Sequence, residues 1–366
     1  MDAAPMDSSD PRPNHVAPQH GPDRGPRPLP LFLEMLARET DGAPERRSAA
    51  LAGLRAYQNA QRPAPPPPLP VARRIGRTTL YQAGTGEPPL LFVPSLINPS
   101  SILDLDEERS LVRWAAAQGH AAHLLDWGYP DADERDLDVG GHVERYLLPT
   151  IAGFERPPVL VGYCLGGTMA IAAAVRAQVA GLVTIAAPWR FSGYGADARA
   201  VMAELWAAAK PACKRLGSVP TEVLQAGFWR LDPARTVAKY EAFGRVASGS
   251  AEAARFVRLE DWANAGAPLT YAAGRQLFER FVGVDEPGMG DWRVAGGVVA
   301  PDRLGCPVLE IVSTNDRIVP AATAAHLADR RELATGHVGM VVGGAREQLR
   351  RAIADWLDEC ITSATR

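Results

Sequence analysis

From residue 71 onward, short apolar runs take turns with helical stretches, and few folds accept that alternation. The strand-like runs are 90-LLFVPS-95, 121-AAHLLDW-127, 158-PVLVGY-163, 181-GLVTIAAP-188 and 307-PVLEIVST-314. Helical spacing falls at 108–118, 138–151, 165–177, 321–329 and 344–358. The order predicts an α/β protein with a mostly parallel sheet flanked by helices. One segment breaks it. Between Trp189 and Asp302 the chain offers Ala-rich helical stretches and many aromatics but no clean strand, which predicts a helical cap inserted over the sheet.

Prolines crowd the first 70 residues, including 65-PPPP-68, and aliphatic side chains are scarce before residue 30, as in a disordered tail. Within that region 31-LFLEMLARE-39 and 46-RRSAALAGLRAYQNAQR-62 have helical spacing, predicting two short helices joined near Gly42 and Pro44 that pack as a collar on the core. The expected organisation is therefore a Pro-rich tail with short helices (1–70), a first part of the core (71–188), the cap (189–302) and a second part of the core (303–366).

A net charge of −3 gives no basic face for a nucleic acid, and no run approaches the roughly 20 apolar residues of a membrane span. The N-terminus lacks a basic region followed by an apolar one, so a cytoplasmic protein is expected. Four cysteines, Cys164, Cys213, Cys306 and Cys360, lie far apart without a C-x-x-C pair, which predicts reduced thiols and no zinc site. His120 and His123 flank a strand on opposite faces and do not suggest a shared metal. No metal or cofactor is expected.

Cys164 is different, because it stands in 158-PVLVGYCLGGTMAIAAAVRA-177 where a strand ends at Tyr163 and a helix begins at Leu165. Gly162, Gly166 and Gly167 remove side chains that would obstruct so sharp a reversal. The form Gly-x-Cys-x-Gly is that of a nucleophile elbow with sulfur in place of the usual serine oxygen. A helix N-terminus favours a thiolate there, and the Leu165 N–H points at the same centre as half of an oxyanion hole. A phosphate-binding loop is ruled out, since Thr168 follows Gly167 where lysine is needed. An inert buried cysteine fits this stretch by itself.

The decision rests on two further residues. Asp316 follows the strand 307–314, and His337 lies in 335-TGHVGM-340 just before the last helix, so nucleophile, acid and base occur in the order of α/β-hydrolases with the 321–329 helix between the last two. The second oxyanion donor is expected from the loop after 90-LLFVP-94, at the N–H of Leu96 or Ile97. His15 and His20 sit in the tail, while His142 and His326 fall on predicted helices and read as surface residues.

Taken with 93-VPSLINPSSILDL-105, 111-LVRWAAAQGH-120, 125-LDWG-128, 256-FVRLEDW-262, 306-CPVLEIVSTNDRIVP-320 and 336-GHVGM-340, the elbow resembles the polyhydroxyalkanoate synthases, specifically their short catalytic subunits. The resemblance runs from about residue 88 to the C-terminus. It implies an α/β-hydrolase fold in which Cys164, Asp316 and His337 are nucleophile, acid and base. Its substrate would be a 3-hydroxyacyl-CoA, its product a polyester, its partner a second synthase subunit or a second copy, and its place the cytoplasm or the polyester granule surface. The chain departs from the family at Arg317, where histidine usually follows the aspartate, and in its long Pro-rich start. A cysteine thioester keeps the acyl group activated, which favours transfer over hydrolysis. A cysteine hydrolase acting on polyester or thioester, and a non-catalytic granule or scaffold protein, stay open at this stage.

Overall fold

A computed structural model describes residues 25–364. The tail residues 1–24, with His15 and His20, lie outside the described residues. Eight strands form the main sheet: β1 (Val71–Ile75), β2 (Thr78–Ala83), β3 (Leu90–Val93), β4 (Ala122–Asp126), β5 (Val159–Tyr163), β6 (Gly181–Ile185), β7 (Val308–Ser313) and β8 (Arg330–Leu333). Their spatial order is β1-β2-β4-β3-β5-β6-β7-β8. Only β2 runs against the others.

The sheet is buried on both faces because its strands carry apolar residues at successive positions, which point to opposite sides. Leu91 and Val93 join Leu160 and Leu182 in one cluster, whereas Leu90 and Phe92 join Val161, Val183 and Ile311 in the other. Two helical segments cover the first face: α5 (Leu165–Arg176) and α4 (residues 139–152, π-helical at Val143–Leu147). The second face is covered by α3 (Leu111–Ala117), α11 (His337–Val342) and α12 (Arg346–Ala364). Each wholly buried Leu or Phe in these layers contributes roughly 1.5–3 kcal/mol.

Between β6 and β7 come α6 (Ala196–Leu216), α7 (Thr221–Leu231), α8 (Pro233–Phe243), α9 (Ala251–Ala263) and the helical run α10 (271–283). Strands there are confined to two pairs of two-residue bridges, Ser218–Val219 with Leu269–Thr270 and Arg293–Val294 with Gly297–Val298. The N-terminal helices are α1 (Leu29–Glu39), which starts inside the stretch expected to be tail, and α2 (Pro44–Asn59). They lie against the cap rather than the sheet: Phe32, Leu36, Leu54 and Tyr57 form one cluster with Trp229, Val237, Tyr240 and Phe243. Gly53 lets α2 touch α8, since a Cβ there would stand 1.8 Å from the Tyr240 carbonyl oxygen. Beyond α2, the proline segment is fastened from both sides. Arg258 of α9 donates to the Ala64 carbonyl at 2.9 Å and Arg113 of α3 donates to that of Pro67.

Three sequence expectations are corrected. Residues 321–329 form a single 3-10 turn at Ala321–Thr323 and then a loop. Their Ala-rich composition favours helix, but the buried Glu310 carboxylate on β7 accepts the N–H groups of Ala325 and His326 at 2.7 and 3.1 Å, and a tertiary anchor overrides propensity. His326 is exposed as expected, but on this loop with φ of 63°. His142 is on a helix yet buried, its Nε2 2.7 Å from Arg77 Nη2 and its Nδ1 2.7 Å from the Asp138 carbonyl oxygen. Burial pushes its pKa down to about 4, with the Arg77 charge adding to that and the Asp138 bond opposing it. Among the described residues, no helix is long and apolar enough to cross a membrane.

Candidate active site

β5 passes into α5 through Cys164, whose φ of 57° and ψ of −132° are unfavourable for any residue with a Cβ. Tight packing enforces the turn. The Cys164 N–H donates to the Ile185 carbonyl at 2.9 Å, and its own carbonyl accepts from Gly167 N at 2.8 Å. A Cβ on Gly162 would lie 2.5 Å from Gly167 Cα, and one on Gly166 would lie 2.2 Å from the Val93 carbonyl oxygen. The half-buried thiol therefore stands at the C-terminal edge of the sheet, at the mouth of α5.

Asp316 reaches the same edge from the loop after β7, and His337 as the first residue of α11, which follows β8. Asp316 Oδ1 accepts the N–H groups of Ile318 and Val319 at 2.8 and 2.9 Å, which fixes the carboxylate. Its Oδ2 lies 2.6 Å from His337 Nδ1. That bond leaves His337 Nε2 as the ring nitrogen available to Cys164. The imidazole is buried and stacks on Tyr163, ring centres 5.0 Å apart, while the Tyr163 hydroxyl donates to the His337 carbonyl. Burial by itself would push the His337 pKa down. The charges of Cys164 and Asp316 and hydrogen bonds to both outweigh it and raise the pKa to about 10. These neighbours favour the charged form of the imidazole.

Of the oxyanion donors read from the sequence, Leu165 opens α5 directly after the thiol. The Ile97 N–H is committed elsewhere, donating to Ser95 Oγ at 3.1 Å, so Leu96 remains from that loop. Residues 94–100 are held from two directions. On the core side, Trp127 Nε1 donates to the Pro94 carbonyl at 3.0 Å, and the Ser100 hydroxyl donates to Asp126 Oδ2 at 2.7 Å. On the cap side, Trp262 Nε1 donates to the Pro99 carbonyl at 2.9 Å. The sequence stretches 125-LDWG-128 and 256-FVRLEDW-262 thus converge on one loop, which their spacing in the chain did not suggest.

Cys164, Asp316 and His337 line one cavity of about 370 Å³. Its opposite wall comes from the cap, with Phe228 and Trp229 of α7, Arg235 and Lys239 of α8, and Trp262 of α9. Lys239 pairs with Glu260 at 2.7 Å. Arg317, next to Asp316, reaches the cap and pairs with Asp232 at 3.1 Å. Cys164 also borders a second, smaller cavity of about 80 Å³ on its other side. Sequence reasoning expected cap aromatics over the site but gave no place in it to Arg235, Lys239 or Tyr163, of which Tyr163 alone had a usable signal, its place directly before the elbow cysteine.

Residues 90–351 match the alpha/beta hydrolase family. The chain is 29% identical over 288 residues to the poly(3-hydroxyalkanoate) polymerase subunit PhaC of Haloferax mediterranei, covering 74% of this chain and 58% of that protein. It is also 29% identical to the PhaC subunit of Allochromatium vinosum, covering 74% of this chain and 81% of that one. It thus spans about three fifths of the archaeal relatives, 58% and 62% of their lengths. A monoacylglycerol lipase of Paleococcus ferrophilus superposes with a TM-score of 0.48 at 18% identity, covering 77% of this chain and 99% of the lipase.

Proposed function

We propose that this chain, which belongs to the alpha/beta hydrolase family, is an acyltransferase that polymerises 3-hydroxyacyl groups from their CoA thioesters through Cys164. The observation that carries the reading is the cysteine on the strained elbow beside the Asp316–His337 pair. The polymerase names of the curated relatives support it. In this reading His337 Nε2 takes the Cys164 proton and the thiolate attacks the thioester carbonyl. The tetrahedral oxyanion accepts from the N–H groups of Leu165 and Leu96. The carbon–sulfur bond to CoA then breaks, and the leaving thiolate takes the proton from His337. One thioester has been exchanged for another at little free-energy cost. Next, neutral His337 removes the proton from a 3-hydroxyl, whose oxygen attacks the Cys164 thioester. An ester forms and the Cys164 sulfur leaves, regaining the proton through His337. Asp316 holds the ring and stabilises its charged form throughout.

Cap aromatics exclude water that would otherwise intercept the acyl-enzyme. A second synthase subunit or a second copy is the proposed partner, and the granule surface the proposed place of work. Incubation with 3-hydroxybutyryl-CoA, following both thiol release and product mass, tests the reading. CoA release with polymer supports it. Release with free 3-hydroxybutyrate would mean a hydrolase, and no adduct on Cys164 would mean a non-catalytic protein.

A further inference from the structure

The second cavity beside Cys164 differs in kind from the first. It is walled by Ile97, Leu165, Phe191, Met202, Leu224 and Phe278 among others, nearly all of them hydrocarbon. The larger cavity carries Asp232, Arg235, Lys239, Glu260 and Arg317. An acyl-CoA attacked at Cys164 divides between them: its anionic carrier approaches from the larger side, where Arg235 stands without an ion-pair partner among the described residues, and the short apolar chain gains from transfer into the smaller one.

Apart from Cys164 and Met202, Tyr194 is the one residue lining the small cavity whose side chain carries a polar atom. Its hydroxyl has no hydrogen-bond partner among the described residues. Tyr194 is half-buried, and a phenol without a protein partner is free to bond a polar atom of whatever enters beside it. Its position is fixed rather than accidental. The turn Phe191–Tyr194 is anchored where the Asp285 carboxylate accepts the N–H groups of Phe191 and Ser192 at 2.7 and 3.1 Å. A Cβ on Gly193 would stand 2.4 Å from the Ala322 carbonyl oxygen, so the turn is pressed against the loop after β7. Burial, and then the charges of Cys164 and Asp316, push the Tyr194 pKa well above its ordinary value, so the phenol keeps its proton.

We infer that the small cavity receives the acyl chain on Cys164 and that Tyr194 selects chains oxygenated at the 3-position by hydrogen bonding that oxygen. The inference rests on Cys164 being the acylated thiol, as proposed above. The 3-carbon lies two bonds beyond the thioester carbonyl carbon, so its oxygen is the first polar atom an entering chain presents to the cavity. A butyryl chain offers nothing there and leaves the phenol unpaired, a penalty of the kind that gives polar pockets their selectivity. Tyr194 is then a specificity residue that touches substrate, with no part in proton transfer at sulfur.

The test compares loading of Cys164 by 3-hydroxybutyryl-CoA and butyryl-CoA in single turnovers, read by adduct mass. The parent protein is expected to prefer the hydroxylated substrate by about tenfold, the size of one hydrogen bond. Tyr194→Phe, which keeps the ring beside Phe191, should erase the preference, slowing 3-hydroxybutyryl loading far more than butyryl loading. Equal rates with the two substrates in the parent protein would overturn the inference without any variant and leave the acyltransferase reading standing. Equal slowing of both by Tyr194→Phe would also overturn it. No adduct from either substrate would sink the acyltransferase reading and the selectivity with it.

Discussion

On the sheet side of the larger cavity, Cys164, Asp316 and His337 are held by backbone hydrogen bonds and by glycines that leave no room for alternatives. On the cap side, Phe228, Trp229 and Arg235 stand on helices tied to the core by few polar links. These are the exposed Arg317–Asp232 pair and, through neighbouring α9, the Trp262 bond to the Pro99 carbonyl and the Arg258 contacts with the Leu105 carbonyl and Asp106. The contrast separates two tasks. The groups proposed to make bonds sit on the more tightly held wall, which makes the cap wall the candidate for governing access.

Breaking the rigid wall has the largest expected effect. Cys164→Ala should abolish acyl transfer with the fold intact, while alanine at Cys213, Cys306 or Cys360 should be tolerated. Cys164→Ser should lose on the order of 10²-fold or more, because His337 must then activate a hydroxyl of far higher pKa. Turnover measured by thiol release checks both, and a serine variant working at the parent rate would deny the thioester any special role.

Trp262→Phe probes the link between the walls. It keeps most of the ring but removes the donor to Pro99, loosening the loop that carries Leu96. A fall of about tenfold in kcat with little change in KM is expected if Leu96 is the oxyanion donor proposed above, because such a donor acts in the transition state. A change in KM alone would assign Trp262 to substrate binding.

The acid limb of stability comes from elsewhere. His142 is held neutral by burial, its pKa near 4 against an ordinary value of about 6.5. Above pH 6.5 folded and unfolded chains agree in leaving it neutral. As pH falls toward 4, the unfolded chain gains a proton that the folded one refuses, and on the order of 3 kcal/mol is lost. Urea midpoints between pH 7 and 4.5 should fall less steeply in His142→Gln. The raised His337 works oppositely: its contribution is full below pH 6.5 and is lost as pH rises toward about 10.

The smallest effect sharpens the contrast most. Arg317→Ala removes an exposed ion pair whose contribution is about 0–1 kcal/mol, so Tm should hardly move. If that pair helps hold the cap down, alkylation of Cys164 by a bulky thiol reagent should nonetheless speed up several-fold. A substrate analogue or partner should produce a similar acceleration in the parent chain. Fast labelling of the parent, unchanged by either, would mean a permanently open pocket.

The rigid wall was legible because its signals are local. An elbow needs its glycines at fixed offsets, the loop bearing Asp316 directly follows its strand, and His337 comes shortly before the last helix, opening the short α11 that the sequence did not announce. Edge strands were not legible: β1, VARRI, is almost wholly exposed, and β8, RREL, is mostly polar, so neither shows an apolar run. Residues 321–329 were misread because the Glu310 carboxylate that unwinds them lies on another strand. His142 was misread because its burial depends on Arg77, far away in sequence. The cap wall shared that difficulty, since Arg235 or Tyr194 carries no mark of what lies across the gap.

The proline segment has a mechanical consequence. Residues 63–70 run from helices seated on the cap to the first strand of the sheet, gripped by Arg258 on one side and Arg113 on the other. Polyproline chain resists both bending and compression, so it behaves as a strut of set length. A cap that swings must pivot about that strut, and its travel is greatest far from it. Any opening of the mouth near Arg317 and Asp232 would then resemble a hinged jaw, with the N-terminal helices, which pack on the cap, riding with it.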